Sequence, residues 1–295
     1  MTPVLAVRYC AGVSANPLIS VAQLRQRLAR LGHAPLLLDV RWQLGRDDGR
    51  ADYLRGHLPG AVFVDLDRDL AGPARPGRSG GRHPMPQLED FELAMARCGV
   101  DNHRAVVCYD DVASLAAARC WWLLRHLGKD KVFVLDGGLS AWTAAGLPLD
   151  AGETSIDEGD FEVRPGRADV LDADDVLHFV RDGVLIDARP ADRFRGENET
   201  IDPVAGHIPG ARSIPARSLL DSGGSFLDAQ ALRERFSSAG IAAHTPVATY
   251  CGSGVQASHV ALGLAAAGLH QNVPVYIGSW SDWITDPRRP IAVGE

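Results

Sequence analysis

The sequence is poor in the features that mark several common classes of protein. Its five cysteines are an odd number and include no Cys-x-x-Cys pair, which argues against a disulfide framework and against a cysteine zinc site. No uninterrupted apolar run approaches the ~20 residues that a membrane-spanning helix needs. The net charge is only -7, and the arginines are scattered rather than grouped as in a nucleic-acid-binding patch. We therefore expect a cytoplasmic protein that acts on small molecules, without a bound metal, a membrane or a nucleic-acid partner.

The composition is that of a folded chain with room for two domains. Hydrophobic residues make up 46% of the 295 positions and charged residues 23%, which leaves no case for disorder. Three pairs of segments repeat along the chain: an apolar strand ending in Asp-x-Arg at 36–41 and 184–189, a Gly-His-Leu/Ile-Pro-Gly-Ala turn at 56–61 and 206–211, and an apolar strand ending in Tyr-Asp or Tyr-Cys at 106–110 and 247–251. Such a repeat predicts two homologous domains.

Each half alternates short apolar strands with helical stretches, a pattern typical of a parallel sheet covered by helices. The polar, acidic stretch 148–167 shows no sustained helical pattern, which predicts a linker between the halves. We place the boundary near residue 155, with an N-terminal domain over 1–155 and a C-terminal domain over 156–295. The predicted fold is α/β, with two tandem domains that each contain a mainly parallel sheet flanked by helices.

One cysteine stands where chemistry is expected. Cys251 follows an apolar stretch and precedes an Ala- and Leu-rich one, so it lies where a strand passes into a helix. Gly252 and Gly254 allow the loop to curl with its N–H groups inward, and the helix N-terminus adds positive potential. That environment stabilises thiolates, which makes Cys251 a candidate nucleophile, although a buried structural cysteine in a turn is the alternative. The matching position in the first half is Asp110, so only the second half can perform thiol chemistry.

The first half also contains a basic loop rich in glycine and proline over residues 71–84, where the second half is shorter. Two interpretations are open for this loop. It is either a plain surface loop or a cover over the cleft between the domains that helps to attract anions.

With these motifs in hand, the chain resembles the two-domain rhodanese family, the thiosulfate and 3-mercaptopyruvate sulfurtransferases, over nearly its whole length. The resemblance rests on the repeat, the Gly-His-Ile-Pro-Gly-Ala turn, Cys251 in the second half only, and Gly-Ser-Trp-Ser-Asp-Trp at 278–283. It implies two rhodanese-like domains, of which the first is catalytically inactive. It also implies that Cys251 takes a sulfane sulfur from a small anionic donor, holds it as a persulfide, and passes it to cyanide, a small thiol or a thioredoxin-like acceptor. No cofactor enters that scheme.

The resemblance further implies roles for other residues. Backbone N–H groups of the loop after the cysteine form a persulfide cradle, made by Gly252, Ser253, Gly254, Val255, Gln256 and Ala257. Ser253 is expected to assist catalysis, and an aspartate and a histidine from the N-terminal domain map onto Asp47 and His57. Because His57 has a counterpart in His207, a structural role in the turn stays open, as does a solvated position for Asp47. Arg193 matches the family arginine that binds the donor's carboxylate or sulfonate.

Two questions about function stay open at this point. Gly252-Ser253-Gly254 resembles the 3-mercaptopyruvate-type loop, but the segment 197–203 lacks the second arginine of those members, so the donor is unresolved. The rival to a small-donor enzyme is a persulfide carrier that delivers sulfur to a protein partner. A cysteine-dependent phosphatase is disfavoured, because it needs an arginine six positions after the cysteine and that position is Ala257.

Overall fold

Two parallel β-sheets, one from each half of the chain, form the framework of the protein. The structure is a computed structural model that describes residues 16–30, 32–164, 166 and 168–295. Each sheet has five strands, and neighbouring strands in it run parallel. The predicted α/β fold with two parallel-sheet domains is thereby confirmed.

The N-terminal domain places its strands in the order β1-β5-β4-β2-β3. Its elements are β1 (Leu18–Ile19), α1 (Val21–Leu28), β2 (Leu36–Asp39), α2 (Gly49–Arg55), β3 (Val62–Phe63), α3 (Leu66–Asp69), a 3-10 turn (Pro76–Arg78), α4 (Leu88–Arg97), β4 (Val106–Tyr109), α5 (Leu115–His126), β5 (Val132–Leu135) and α6 (Gly138–Ala144).

The C-terminal domain repeats this arrangement with the order β6-β10-β9-β7-β8. Its elements are β6 (Val170–Leu171), α7 (Ala173–Asp182), β7 (Val184–Asp187), α8 (Ala191–Arg195), β8 (Arg212–Ser213), a 3-10 turn (Ala216–Leu219), α9 (Ala229–Ser238), β9 (Val247–Tyr250), α10 (Val255–Ala266), β10 (Val275–Tyr276) and α11 (Ser279–Trp283). Between α6 and β6 the described residues form no helix or strand, and the boundary predicted near residue 155 falls in this segment.

Both central strands are buried on both faces, which explains their continuous apolar sequences. In β4, Val106 and Cys108 face a core shared by the two domains, whereas Val107 and Tyr109 face a core that belongs to the N-terminal domain. A parallel sheet covered on both sides requires such strands. The helices that follow the central strands, α5 and α10, pack against each other in the shared core. The start of each helix therefore lies close to the other domain.

The repeated Asp-x-Arg and Gly-His-Leu/Ile-Pro-Gly-Ala motifs form a network of buried hydrogen bonds. In the C-terminal domain, Arg189 donates to the carboxylate of Asp187 at 2.6 Å and to the carbonyl oxygen of Gly206 at 2.7 Å. Tyr250 at the end of β9 accepts the N–H of Ile208 at 3.1 Å. The N-terminal domain contains the same network around Asp39, Arg41 and Tyr109. These buried hydrogen bonds connect the turn to the carboxyl ends of the central strands. They therefore fix the edge of each sheet at which the loops of Asp110 and Cys251 begin.

Candidate active site

Cys251 is the first residue after β9, and its thiol lies inside the turn that leads into α10. The residue is only 2% exposed. The backbone N–H groups of Ser253 and Gly254 donate to Cys251 Sγ at 3.4 and 3.1 Å. The N–H groups in the first turn of α10 have no acceptor within the helix and add partial positive charge at the same end. The loop therefore surrounds the thiol with donors suited to an anionic sulfur.

The turn between β10 and α11 supports this loop from behind. Trp280 N donates to the carbonyl oxygen of Cys251 at 2.9 Å. Cys251 N donates to Ser279 Oγ at 3.0 Å, and Ser279 Oγ donates to the carbonyl oxygen of Tyr276 at 2.8 Å. These bonds satisfy the polar groups at the start of the loop, so the N–H groups further along it remain for the sulfur.

The two glycines of the loop leave room for different neighbours. A Cβ at Gly252 would lie 2.7 Å from Arg82 Nη2, a contact that the arginine would have to vacate. Gly254 has a φ of +82, in the left-handed region, and a Cβ there would lie 2.8 Å from the carbonyl oxygen of Ile277. The first glycine admits a side chain from the N-terminal domain, and the second allows the turn itself.

A hydrogen-bonded chain of side chains joins the loop to the N-terminal domain. His83 Nδ1 lies 2.8 Å from Ser253 Oγ, and His83 Nε2 lies 3.2 Å from Asp67 Oδ1. Trp42 Nε1 donates to the other oxygen of Asp67 at 2.9 Å, and its ring meets the His83 ring edge-on. The hydrogen bond with His83 holds the pKa of Asp67 below its usual value, which keeps that carboxyl charged. Ser253, His83 and Asp67 thus form a path along which a proton can move.

Two arginines, one from each domain, converge on the same loop. Arg82 Nη2 lies 2.7 Å from the Cβ position of Gly252, and Arg193 Nη1 and Nη2 lie 3.8 and 3.9 Å from it. Asp202 bridges the two: one oxygen pairs with Arg82 Nη1, and the other accepts from Arg193 Nη2 at 3.1 Å. Glu199 accepts from Arg193 Nε and Nη2 at 2.9 and 2.8 Å. Arg189, which is paired with Asp187, also lies 3.6 Å from Glu199. Three arginines and three carboxylates therefore form a compact, electrically balanced cluster beside the loop.

The N-terminal domain contains a related loop with a carboxylate in place of the thiol. Asp110 follows β4 directly, as the cysteine follows β9. Its Oδ1 accepts the N–H groups of Val112 and Ser114 at 2.9 Å, and its Oδ2 accepts those of Ala116 and Ala117 at 2.9 and 3.0 Å. Burial raises the pKa of this carboxyl to about 6. A loop of this architecture in the same chain thus offers four backbone donors to one acidic group.

The structure does not bring His57 to Ser253. Its Nδ1 lies 2.9 Å from the carbonyl oxygen of Tyr53, its Nε2 lies 3.2 Å from Thr154 Oγ1, and its ring stacks on Tyr53. His207 makes the equivalent stacking contact in the other domain. Both histidines therefore hold their Pro-Gly turns in place.

Asp47 is likewise not the aspartate that contacts a histidine. It lines a cavity of about 340 Å³ that Asp67 also lines, and Asp67 is the one that binds His83. Sequence reasoning missed both Asp67 and His83. For His83, the available signal was the basic loop 71–84, which is shorter in the second half and which carries Arg82 and His83.

The loop 71–84 lies against the C-terminal domain, so it covers the cleft between the domains. Gly80 N donates to Asp282 Oδ1 at 2.7 Å, and Arg82 N donates to Ser281 Oγ at 3.1 Å. A cavity of about 520 Å³ opens next to this loop and is lined in part by Gly77 and by residues 199–203.

Among the described residues, no set of three or more His, Cys, Asp or Glu side chains is arranged to hold a metal ion. In the same ranges, every helix is too short or too polar to cross a bilayer.

Comparison with known proteins agrees with the architecture. The family model described as a rhodanese-like domain matches residues 20–145 and 172–286. A probable 3-mercaptopyruvate sulfurtransferase of Pseudomonas aeruginosa is 46% identical, covering 94% of this chain and 100% of that protein. A putative thiosulfate sulfurtransferase, SseB of Mycobacterium tuberculosis, is 42% identical over 94% of this chain and 97% of its own length. The crystal structure of SseA from Escherichia coli, a 3-mercaptopyruvate sulfotransferase of the rhodanese fold, aligns with a TM-score of 0.78 at 32% identity, covering 90% of this chain and 100% of that one.

Two tandem parallel-sheet domains, with Asp110 after the central strand of the first and Cys251 after that of the second, define a protein of the rhodanese class. The chain belongs to the two-domain rhodanese family, as its resemblance predicted, and it is a sulfurtransferase of the thiosulfate/3-mercaptopyruvate type.

Proposed function

We propose that this protein transfers sulfur from 3-mercaptopyruvate, through a persulfide on Cys251, to a thiol or cyanide acceptor in the cytoplasm. The names of its relatives supply two donors to weigh, 3-mercaptopyruvate and thiosulfate. The observation that favours 3-mercaptopyruvate is the hydrogen-bonded chain from Ser253 through His83 to Asp67.

In the first half-reaction, the Cys251 thiolate attacks the donor sulfur and the donor's carbon–sulfur bond breaks. The sulfur and its proton stay on Cys251 as a persulfide, while the electron pair of the broken bond leaves with the enolate of pyruvate. Ser253 Oγ donates the proton that the enolate needs and is reprotonated from His83 Nδ1, and Asp67 balances the charge of the histidine. Thiosulfate releases sulfite, which requires no proton at carbon. The relay therefore serves a carbon-bound donor.

The charge of the site also fits a donor with one negative charge. Asp202 and Glu199 already balance Arg82 and Arg193, so a doubly charged donor enters a cluster without excess positive charge. Burial alone would raise the pKa of Glu199, but hydrogen bonds from backbone N–H groups and from Arg193 outweigh burial and lower it. A single carboxylate can bind the two guanidinium edges that face Gly252, in the paired geometry that arginine favours.

In the second half-reaction, the acceptor attacks the outer sulfur and Cys251 leaves as a thiolate. The cradle 252–257 stabilises the anion in both steps, which is the role of an oxyanion hole. In the matching loop, four backbone N–H groups donate to the carboxylate of Asp110. They support this assignment because they indicate how such a loop binds an anion larger than a single sulfur. With an aspartate at that position, the N-terminal domain performs no sulfur transfer of its own.

The proposal is tested by measuring 3-mercaptopyruvate and thiosulfate side by side, each with cyanide and with a dithiol acceptor. We expect a higher kcat/KM for 3-mercaptopyruvate with both acceptors and parallel double-reciprocal plots, the pattern of a covalent intermediate. A higher kcat/KM for thiosulfate would contradict the choice of donor. Persulfide loading without turnover on either small acceptor would instead favour a carrier that delivers sulfur to a protein.

A further inference from the structure

Arg119 is a buried cation that the reaction described above does not use. It lies in the middle of α5, in the N-terminal domain, and is 0% exposed. Its Nε and Nη2 donate to the carbonyl oxygens of Leu70, His83 and Pro84 at 3.2 to 3.4 Å. Its Nη1 is buried and has no hydrogen-bond partner. One edge of the guanidinium thus fixes the loop that carries His83, and the other edge is unused.

The unused edge points into the cysteine loop of the other domain. Arg119 Nη1 lies 3.0 Å from the position that a Cβ would take at Gly254, the residue that caps α10. Burial lowers the pKa of Arg119 to about 10. Among the described residues, a thiolate at Cys251 is the negative charge that would favour the charged form of Arg119. Burying a guanidinium without an anionic partner is energetically unfavourable. An anionic sulfur at position 251 supplies the missing partner.

The two-domain symmetry gives an internal comparison. His259 of α10 occupies the reciprocal place, next to Ala113 in the loop of Asp110. Its ring is fully buried and stacks on Phe226, and burial lowers its pKa to about 3, so it is neutral. A cation therefore lies under the loop that holds the thiol, and a neutral ring lies under the loop that holds a carboxyl group.

We propose that Arg119 is a positioning residue for sulfur transfer. Its charge stabilises anionic sulfur on Cys251 from across the domain interface, and its hydrogen bonds hold the loop 71–84 in place. This inference rests on the proposed role of Cys251 as the sulfur acceptor.

Other charged and titratable groups face the same loop from other directions. Arg82 and Arg193 approach it at Gly252, where Asp202 and Glu199 offset their charge, and His83 reaches it through the hydroxyl of Ser253. Arg119 differs from both arginines at Gly252 because it pairs with no carboxylate in the described part of the chain. Its effect on the thiol should therefore be separable from theirs.

Two substitutions separate the charge of Arg119 from its hydrogen bonds. Arg119→Gln keeps amide donors and removes the charge, whereas Arg119→Lys keeps the charge and loses the planar fork. The measurement is the pH dependence of iodoacetamide alkylation at Cys251, followed by mass spectrometry of the peptide that contains it. Because alkylation reads the thiol without turnover, it is independent of donor and acceptor, and Cys251→Ser provides the blank. His259→Gln, at the reciprocal buried site, is the matched control.

The expected result is that Arg119→Gln moves the midpoint of the alkylation profile upward by about one pH unit or more. Arg119→Lys and His259→Gln should leave the midpoint in place. A wild-type profile in Arg119→Gln would overturn the proposal, and equal shifts in the Gln and Lys variants would overturn the part assigned to charge. If Arg119→Gln does not fold, Arg119→Met, which fills the volume without charge, is measured instead. Loss of turnover in Cys251→Ser tests the proposed function separately.

Discussion

Replacing His83 should reduce activity in a way that depends on the donor. His83→Gln preserves a side chain that can hydrogen-bond Ser253 Oγ, which lies 2.8 Å from His83 Nδ1, but glutamine cannot return a proton to the serine as the histidine does. Proton transfer by a positioned side chain contributes typically 10²- to 10⁴-fold to rate. We therefore expect kcat/KM for 3-mercaptopyruvate to fall about 100-fold or more, which corresponds to about 2.7 kcal/mol of transition-state stabilisation. For thiosulfate the fall should stay below about tenfold, because sulfite leaves without a proton at carbon.

The assay is the initial rate with each donor at a fixed concentration of one dithiol acceptor, so that the second half-reaction is common to both. His57→Gln is the matched control, because it makes the same substitution at a histidine whose ring binds Tyr53 and Thr154 instead of Ser253. It should change stability and should affect both donors alike. Equal losses with both donors in His83→Gln would refute the relay, as would a donor-dependent loss in His57→Gln.

Three further predictions concern charge. Arg193→Ala should lower kcat/KM at least tenfold with either donor, about 1.4 kcal/mol, because it removes a donor-binding cation and leaves Glu199 without that partner. Steady-state kinetics measure this effect, with Arg195→Ala, a substitution of another arginine in the same helix, as the control. Equal values of kcat/KM in the two variants would contradict the prediction. Asp202→Asn adds one net positive charge to the arginine cluster and should raise the ratio of kcat/KM for thiosulfate to that for 3-mercaptopyruvate severalfold, whereas an unchanged ratio would exclude charge as the basis of donor choice. Burial raises the pKa of Asp110 from 3.8 to about 6, so the native state binds this proton more tightly than the unfolded chain does. Its contribution to stability is therefore present below about pH 4 and is lost as the pH rises through about 6. The free energy of unfolding of the wild-type protein should fall relative to that of Asp110→Asn by about 2 kcal/mol between about pH 4 and 6. Denaturant titrations in which the two free energies of unfolding keep a constant difference over this range would contradict the prediction.

The fold could be predicted because its determinants are local and repeated. Short runs such as Val106–Tyr109 and Val247–Tyr250 are apolar throughout, as strands buried on both faces must be, and their repetition identifies two domains. The loop that follows each strand could also be predicted, since a cysteine or aspartate between a strand and a helix defines it. Local sequence thus identified the architecture and the loop that carries the proposed nucleophile, Cys251.

The side chains around the proposed nucleophile, Cys251, were harder to predict because several of them come from the other domain. His83 and Ser253 are 170 residues apart in the chain, and no periodicity in the sequence links them. His57 matched the expectation by type, but its ring is used to fix a turn, as the presence of His207 in the second half had suggested. The same limit applies to Arg119, which lies within a continuous apolar helix and whose contact with Gly254 depends on how the two domains pack.

The sequence also could not predict where the second cation at the cysteine loop comes from. The segment 197–203 contains carboxylates where a cation was expected, and the sequence alone suggests a weakened anion site. In the structure, Asp202 from this segment pairs with Arg82, so the second cation at the loop comes from the N-terminal domain. Such compensation is a property of tertiary packing.

The most direct test of the account is to locate the transferred sulfur. The protein is incubated with 3-mercaptopyruvate in the absence of an acceptor, digested under conditions that preserve persulfides, and analysed by peptide mass spectrometry. We predict one added sulfur on the peptide that contains Cys251, its discharge on addition of a dithiol, and neither sulfur nor turnover in Cys251→Ser. Sulfur on Cys108 instead, or full activity in Cys251→Ser, would contradict the account.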